Sequence, residues 1–140
     1  MAPIRQVPTI TNAAARQIVD AAVTAAAAAG QRSAIAVVDA AGQLSAFTRM
    51  DGAPPQAIQI AQDKAYTAAG FGMPTGQWHD FMTNDSPLAM GAPGGIARLI
   101  PFGGGLPIII DGHAVGGIGV SGGHWTDDTK VAEAAINAIG

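Results

Sequence analysis

The stretch Gly103–Gly123, GGGLPIIIDGHAVGGIGVSGG, decides the fold. Inside it, Leu106–Asp111 is a short β-branched run, Asp111-Gly112 is a tight-turn pair, and Ala114–Ser121 is a second extended run. Two such runs joined by that turn predict an antiparallel hairpin. Immediately upstream, Ile96–Phe102 reads as one more strand, with Gly103-Gly104-Gly105 as the break between them. An earlier hairpin is predicted from Ser33–Asp39 (SAIAVVD), a turn at Ala40-Ala41-Gly42-Gln43, and Leu44–Arg49.

Helices fill the remaining chain. Thr11 can cap a helix reaching about Ala29, with Ile18, Val19, Ala22, Val23 and Ala26 on one face and Gly30 as the stop. Pro54-Pro55 opens a second helix to about Ala69, closed by Gly70 and Gly72. Thr75 caps a short helix carrying Trp78, Phe81 and Met82, and Asn84–Gly95 is expected to be an irregular loop. A last amphipathic helix is expected from about Asp127 to Ile139, with Asp127 and Asp128 near its positive end. The order α-ββ-α-α-βββ-α predicts an α+β fold: one five-stranded antiparallel sheet flanked by helices, with residues 1–140 forming a single domain.

Hydrophobic residues make up 49% of the 140 and charged residues only 12%, about half the usual charged share. So thin a polar surface predicts that part of it is covered by another copy of the chain. The net charge of −3, with seven Lys and Arg scattered singly, gives no footprint for nucleic acid. With no cysteine, thiolate metal sites and cysteine nucleophiles are excluded. The start has no apolar run of signal-peptide length, and the alanine-rich stretch Ile18–Ala29 is interrupted by Asp20 and Thr24, so a cytoplasmic protein without a membrane span is expected.

Nine of the nineteen glycines lie between Gly103 and Gly123. Glycine there serves turns and close strand packing, or lets the backbone of Gly103-Gly104-Gly105 approach a flat or anionic ligand with its N–H groups free to donate. The histidines, His79, His113 and His124, lack the spacing of zinc sites, so no metal site is expected. His79, flanked by Trp78 and Phe81, is a candidate acid/base, haem ligand or interface residue, and His124-Trp125 stands ready to face the glycine-rich sheet end or to cap the last helix. Lys64 lies on the Ala57, Ile60, Ala61, Ala65 side of the second helix. Buried there it would serve as base or electrophile, or pair with Asp51, Asp63 or a ligand carboxylate.

Five ordered segments resemble the haem-degrading/GlcG-like family, also called DUF336, which includes the C-terminal domain of PduO-type proteins and HbpS-like haem-binding proteins. They are Ala36–Gly42 (AVVDAAG), Arg49–Ala53 (RMDGA), Lys64–Ala68 (KAYTA), Pro101–Ile108 (PFGGGLPI) and Gly116–Gly123 (GGIGVSGG). The resemblance implies a profilin-like sheet, dimers and often octamers, and a ligand pocket near the sheet end. It implies that Lys64, Thr67 and Phe71 line the second-helix wall, that Phe102, Gly103, Gly104 and Gly105 form the floor, and that Arg49 with Asp51 positions Lys64 or a ligand carboxylate. His124-Trp125 departs from the small or acidic residues expected of relatives.

The leading expectation is therefore a self-associating protein that binds haem or a related tetrapyrrole, with haem degradation as a further step. Trp125 joins the ligand-binding residues on this reading. The first alternative is a cofactor-free lyase, isomerase or hydratase acting on a small oxo or hydroxy acid, with His79 or His124 as base and Lys64 or the glycine amides holding developing negative charge. The second is a non-catalytic accessory subunit.

Overall fold

The structure is a computed structural model that describes residues 2–139. Its elements run α1 (Asn12–Ala28), β1 (Ala34–Asp39), β2 (Leu44–Arg49), α2 (Gln56–Phe71), α3 (Gln77–Thr83), α4 (Ser86–Gly95), β3 (Gly105–Ile110), β4 (His113–Ser121) and α5 (Trp125–Asn137). The fold is α+β, with the strands in one antiparallel sheet of order β2-β1-β4-β3. Both predicted hairpins are present, and β4 and β1 join them side by side. No helix among the described residues is long and apolar enough to cross a membrane.

The sheet has four strands rather than the five expected, because Ile96–Phe102 is not a strand. Its apolar residues do not alternate between two faces. Ile96 and Leu99, one helical turn apart, both pack with Trp78 and Ala92 in a small separate core. Arg98 between them is left-handed (φ 63°), which breaks any extended run. The expected loop Asn84–Gly95 is mostly helix α4. Asp85 caps it by accepting from the Leu88 amide at 3.1 Å, and a proline occupies its first turn.

Period-2 alternation along β1 separates two layers. Ile35 and Val37 face the core shared with Ile118 and Val120 of β4, Ile18 and Ala22 of α1, and Val131 and Ala135 of α5. Ala34, Ala36 and Val38 face the other way, onto Ala57, Ala61 and Ala65 of α2. One side of the sheet is therefore filled by branched side chains and the other by alanine.

On the alanine side, α2 lies almost against the backbone of β4. A methyl group added at Gly119 would sit 2.6 Å from the Ala65 amide nitrogen, and one at Gly117 would sit 2.9 Å from that of Ala69. Those atoms belong to helix backbone and cannot rotate away. The glycines of β4 thus set how near α2 can come, and the alanine stripe of α2 completes the fit.

Gly119→Ala is expected to destabilise the protein by about 1–3 kcal/mol or more through overpacking. Gly91→Ala, in an exposed helical position with open space around it, should stabilise by about 0.4–1 kcal/mol. Urea unfolding of both variants checks the contrast; equal midpoints would refute the close-packing account.

Candidate functional site

The chain enters β3 through Phe102-Gly103-Gly104-Gly105, and this turn is fastened from two sides. Thr75, fully buried, donates its amide to the Gly105 carbonyl at 3.0 Å, while its hydroxyl accepts from the Gly105 amide at 3.0 Å. From the sheet, the Val120 amide donates to the Gly104 carbonyl at 2.9 Å. Gly104 has φ 121°, a conformation that side chains rarely adopt.

Lys64 of α2 and Asp128 of α5 meet behind this turn. The Lys64 ammonium donates to Asp128 Oδ2 at 3.0 Å and to the Val120 carbonyl at 2.8 Å. The other carboxylate oxygen accepts from the Gly123 amide at 3.1 Å. Both residues are 1% exposed. Burial pushes the Lys64 pKa down, and the adjacent Asp128 carboxylate partly offsets it. Burial likewise pushes the Asp128 pKa up, offset by Lys64 and by the Gly123 amide. The ammonium also lies 5.3 Å from the centre of the Phe102 ring.

In front of the turn is a cavity of about 470 Å³, lined by Pro74, Gly76, Gln77, His79, Asp80, Phe102, the three glycines, Leu106, Trp125 and Thr129. That volume falls within the range of small-molecule sites. Its walls come from Pro74, Gly76 and the first residues of α3, from the turn into β3 with the first residues of that strand, and from the first two turns of α5. Phe81, Phe102 and Trp125 are exposed around this region. The cavity brings together His79, Phe102, Gly103, Gly104, Gly105 and Trp125 from the residues predicted by sequence.

Other predicted residues fall elsewhere. Arg49 and Asp51 lie at the end of β2, an edge strand separated from β3 by β1 and β4, roughly 14 Å across at ordinary strand spacing. They neither line the cavity nor position Lys64, whose partner is Asp128 instead of Asp51 or Asp63; Asp63 pairs with Arg98 at 2.8 Å. Thr67 uses its hydroxyl on the backbone, donating to the Arg98 carbonyl at 3.0 Å and accepting from the Ile100 amide at 3.2 Å. Thr67 and Phe71 border a different cleft, with Tyr66, Ile96 and Leu99. Phe71 meets Trp78 edge-on at 4.9 Å between ring centres.

His124 is outside the cavity lining and caps α5, its Nδ1 accepting from the Thr126 amide at 3.3 Å. His113 pairs with Ile110 at the hairpin end of β3, opposite Gly105. Of the three histidines, His79 alone is in the cavity lining. Sequence reasoning missed the site roles of Thr75 and Asp128. Asp128 precedes Val131 and Ala135 by three and seven residues, which puts it on the buried face of α5, and that spacing was the available signal.

A family model described as haem degrading protein HbpS-like matches residues 10–137. A 15.0 kDa protein encoded between dhaT and dhaS in Citrobacter freundii is 34% identical over 135 residues, 96% of this chain and 95% of that protein. A crystal structure of a double mutant of HbpS from Streptomyces reticuli superposes with a TM-score of 0.89 at 32% identity, covering 100% of this chain and 93% of that one. The crystal structure of a PduOC complex with haem gives 0.80 at 27% identity, covering 93% and 94%.

Lys64→Met would leave a buried carboxylate without its cation, and is expected to cost about 3–5 kcal/mol at pH 7. Without the ammonium, the Asp128 pKa rises further. A raised folded-state pKa means that the native form binds the extra proton, so stability falls as pH rises through the folded value. The deficit relative to the native protein should therefore shrink as pH is lowered toward about 4, near the unfolded carboxyl value, and most of it should vanish in Lys64→Met/Asp128→Leu. Thermal unfolding across pH checks this; a deficit independent of pH would refute the charge account.

Proposed function

We propose that this chain, which belongs to the HbpS-like family of haem-degrading proteins, binds haem or a related tetrapyrrole in the cavity beside Gly103-Gly104-Gly105. The observation that carries the reading is the cavity itself: an apolar recess with an aromatic wall, an imidazole at its edge and a backbone floor. The haem complex of PduOC, a structural neighbour, supports it from outside the chain.

The residues present suit such a ligand. Phe102, Leu106 and Trp125 offer apolar contact to a flat macrocycle, burying area that would otherwise face water. His79 supplies the one imidazole among the lining residues, a group of the kind that holds haem iron. Bound haem would supply the redox chemistry from which degradation follows. The protein's own share is to shelter the ring and hold it against the floor.

The alternative in which Lys64 acts directly on a small acid loses support, because its ammonium is already committed to Asp128 and the Val120 carbonyl and is 1% exposed. His124 as a base loses support in the same way, being outside the cavity lining. Phe81, Phe102, Trp125 and Met90 leave apolar surface in water, and self-association is the reading that covers it.

Haemin added to the purified protein should shift its Soret band to saturation at stoichiometric amounts. Phe102→Ala or Trp125→Ala should weaken binding by about tenfold or more, whereas Arg49→Ala should leave it unchanged. An unshifted band in the native protein would reject the reading. Native mass spectrometry should detect more than one subunit per particle, and a purely monomeric spectrum would reject self-association.

A further inference from the structure

The turn that floors the cavity is fastened at its β3 end through its own backbone. The Gly104 carbonyl accepts from Val120, and the Gly105 amide and carbonyl are both taken by Thr75. The amides of Gly103 and Gly104 donate to nothing among the described residues. Both glycines are buried, and buried backbone amides without an acceptor are rare.

Two carbonyls beside these glycines are already engaged. The Val120 carbonyl, beside Gly104, accepts from Lys64, and the Trp125 carbonyl, beside Gly103, accepts from the Thr129 hydroxyl at 2.7 Å. Both glycines border the cavity. The charged group packed against Gly104 is the Lys64 ammonium; the Asp128 carboxylate is turned to Lys64 and the Gly123 amide. Consecutive free amides with a cation behind them form a receptor for anionic oxygen.

On the premise that this cavity holds the ligand, we propose that the Gly103 and Gly104 amides receive a carboxylate group of that ligand. Lys64 acts through the turn as a positioning residue and makes no direct contact. Asp80 is the one carboxylate among the lining residues, and its charge favours a ligand whose acid group keeps to the glycine side.

Carboxylates of two origins have this chemistry, the propionates of a tetrapyrrole and a free small acid. Glycine-selective ¹⁵N labelling, with backbone assignment, follows both amides directly. Zinc protoporphyrin IX, its dimethyl ester and pyruvate are the probes. The diacid should bind at least about tenfold tighter than the ester, the loss expected for a charge-assisted hydrogen bond, and should move both amide protons downfield.

Equal affinity of the two porphyrins with unmoved amides would overturn the carboxylate contact and leave tetrapyrrole binding standing. Failure of both porphyrins, with pyruvate moving the same two amides, would support the contact and remove the tetrapyrrole. Unmoved amides with every probe and no porphyrin binding would overturn both.

Discussion

A lysine and an aspartate from helices on opposite faces of the sheet meet beside the last residues of β4, and the site is arranged around that meeting. Lys64 belongs to the layer of α2, and Asp128 to the layer of α5. Their contact at 3.0 Å is reinforced by the Val120 carbonyl and the Gly123 amide, so neither charge is left without a hydrogen-bonded partner. Burying two charges is costly, and an apolar pair of the same volume would often do as well for stability. What an apolar pair cannot do is fix direction. The ion pair holds the start of α5, α2 and the end of β4 in one relative position, and of these the start of α5 also supplies Trp125 and Thr129 to the cavity wall.

Small residues make this meeting geometrically possible. Lys64 can reach the end of β4 because α2 lies close on the sheet, over Gly117 and Gly119. A methyl group at Gly104 would collide with the Lys64 ammonium itself, at 2.5 Å, and one at Gly105 would meet the Lys64 carbonyl at 2.6 Å. Gly104 and Gly105 are therefore demanded from behind by Lys64, and Gly104 also by its own φ of 121°. Their effect in front is a floor of bare backbone. Gly103 is hemmed in from the other side, where a methyl group would meet the Thr129 hydroxyl at 2.6 Å and the Trp125 ring at 2.8 Å.

Much of the architecture was legible in the residue pattern. The two hairpins followed from β-branched runs around Asp111-Gly112 and Ala40–Gln43, and α1 from Thr11 and its apolar spacing. The failures have a common physical form. Ile96–Phe102 had strand composition but was claimed, through Ile96 and Leu99, by a local core with Trp78 and Ala92, and Pro-rich Asn84–Gly95 hid a helix whose cap, Asp85, was the clue. The glycine turn, Phe102, His79 and Trp125, singled out for their local chemistry, all border the same cavity. Arg49, Asp51, Thr67 and Phe71 lie outside that lining, because strand order and the direction of the α2 surface are tertiary facts. The partner of Lys64 lay 64 residues away on another helix, where no spacing rule could connect the two.

The division between buried and accessible charge also shapes what the cavity can recognise. An exposed lysine would attract anions of any shape and bind water as readily, since an ammonium is strongly hydrated and swings on a flexible stem. Here the cation is fixed beneath backbone and compensated by Asp128, so what it contributes to the cavity is modest and constant in direction. On the proposed reading, recognition would fall to the Gly103 and Gly104 amides, in a turn fastened by Thr75 and Val120 that would need no reordering when a ligand arrives. Rigid donors discriminate by position more than by charge. A flat ligand lying against Phe102 and Trp125 with an acid group over Gly103-Gly104 satisfies all of these demands at once, whereas a compact anion would use the amides and leave the aromatic wall wet.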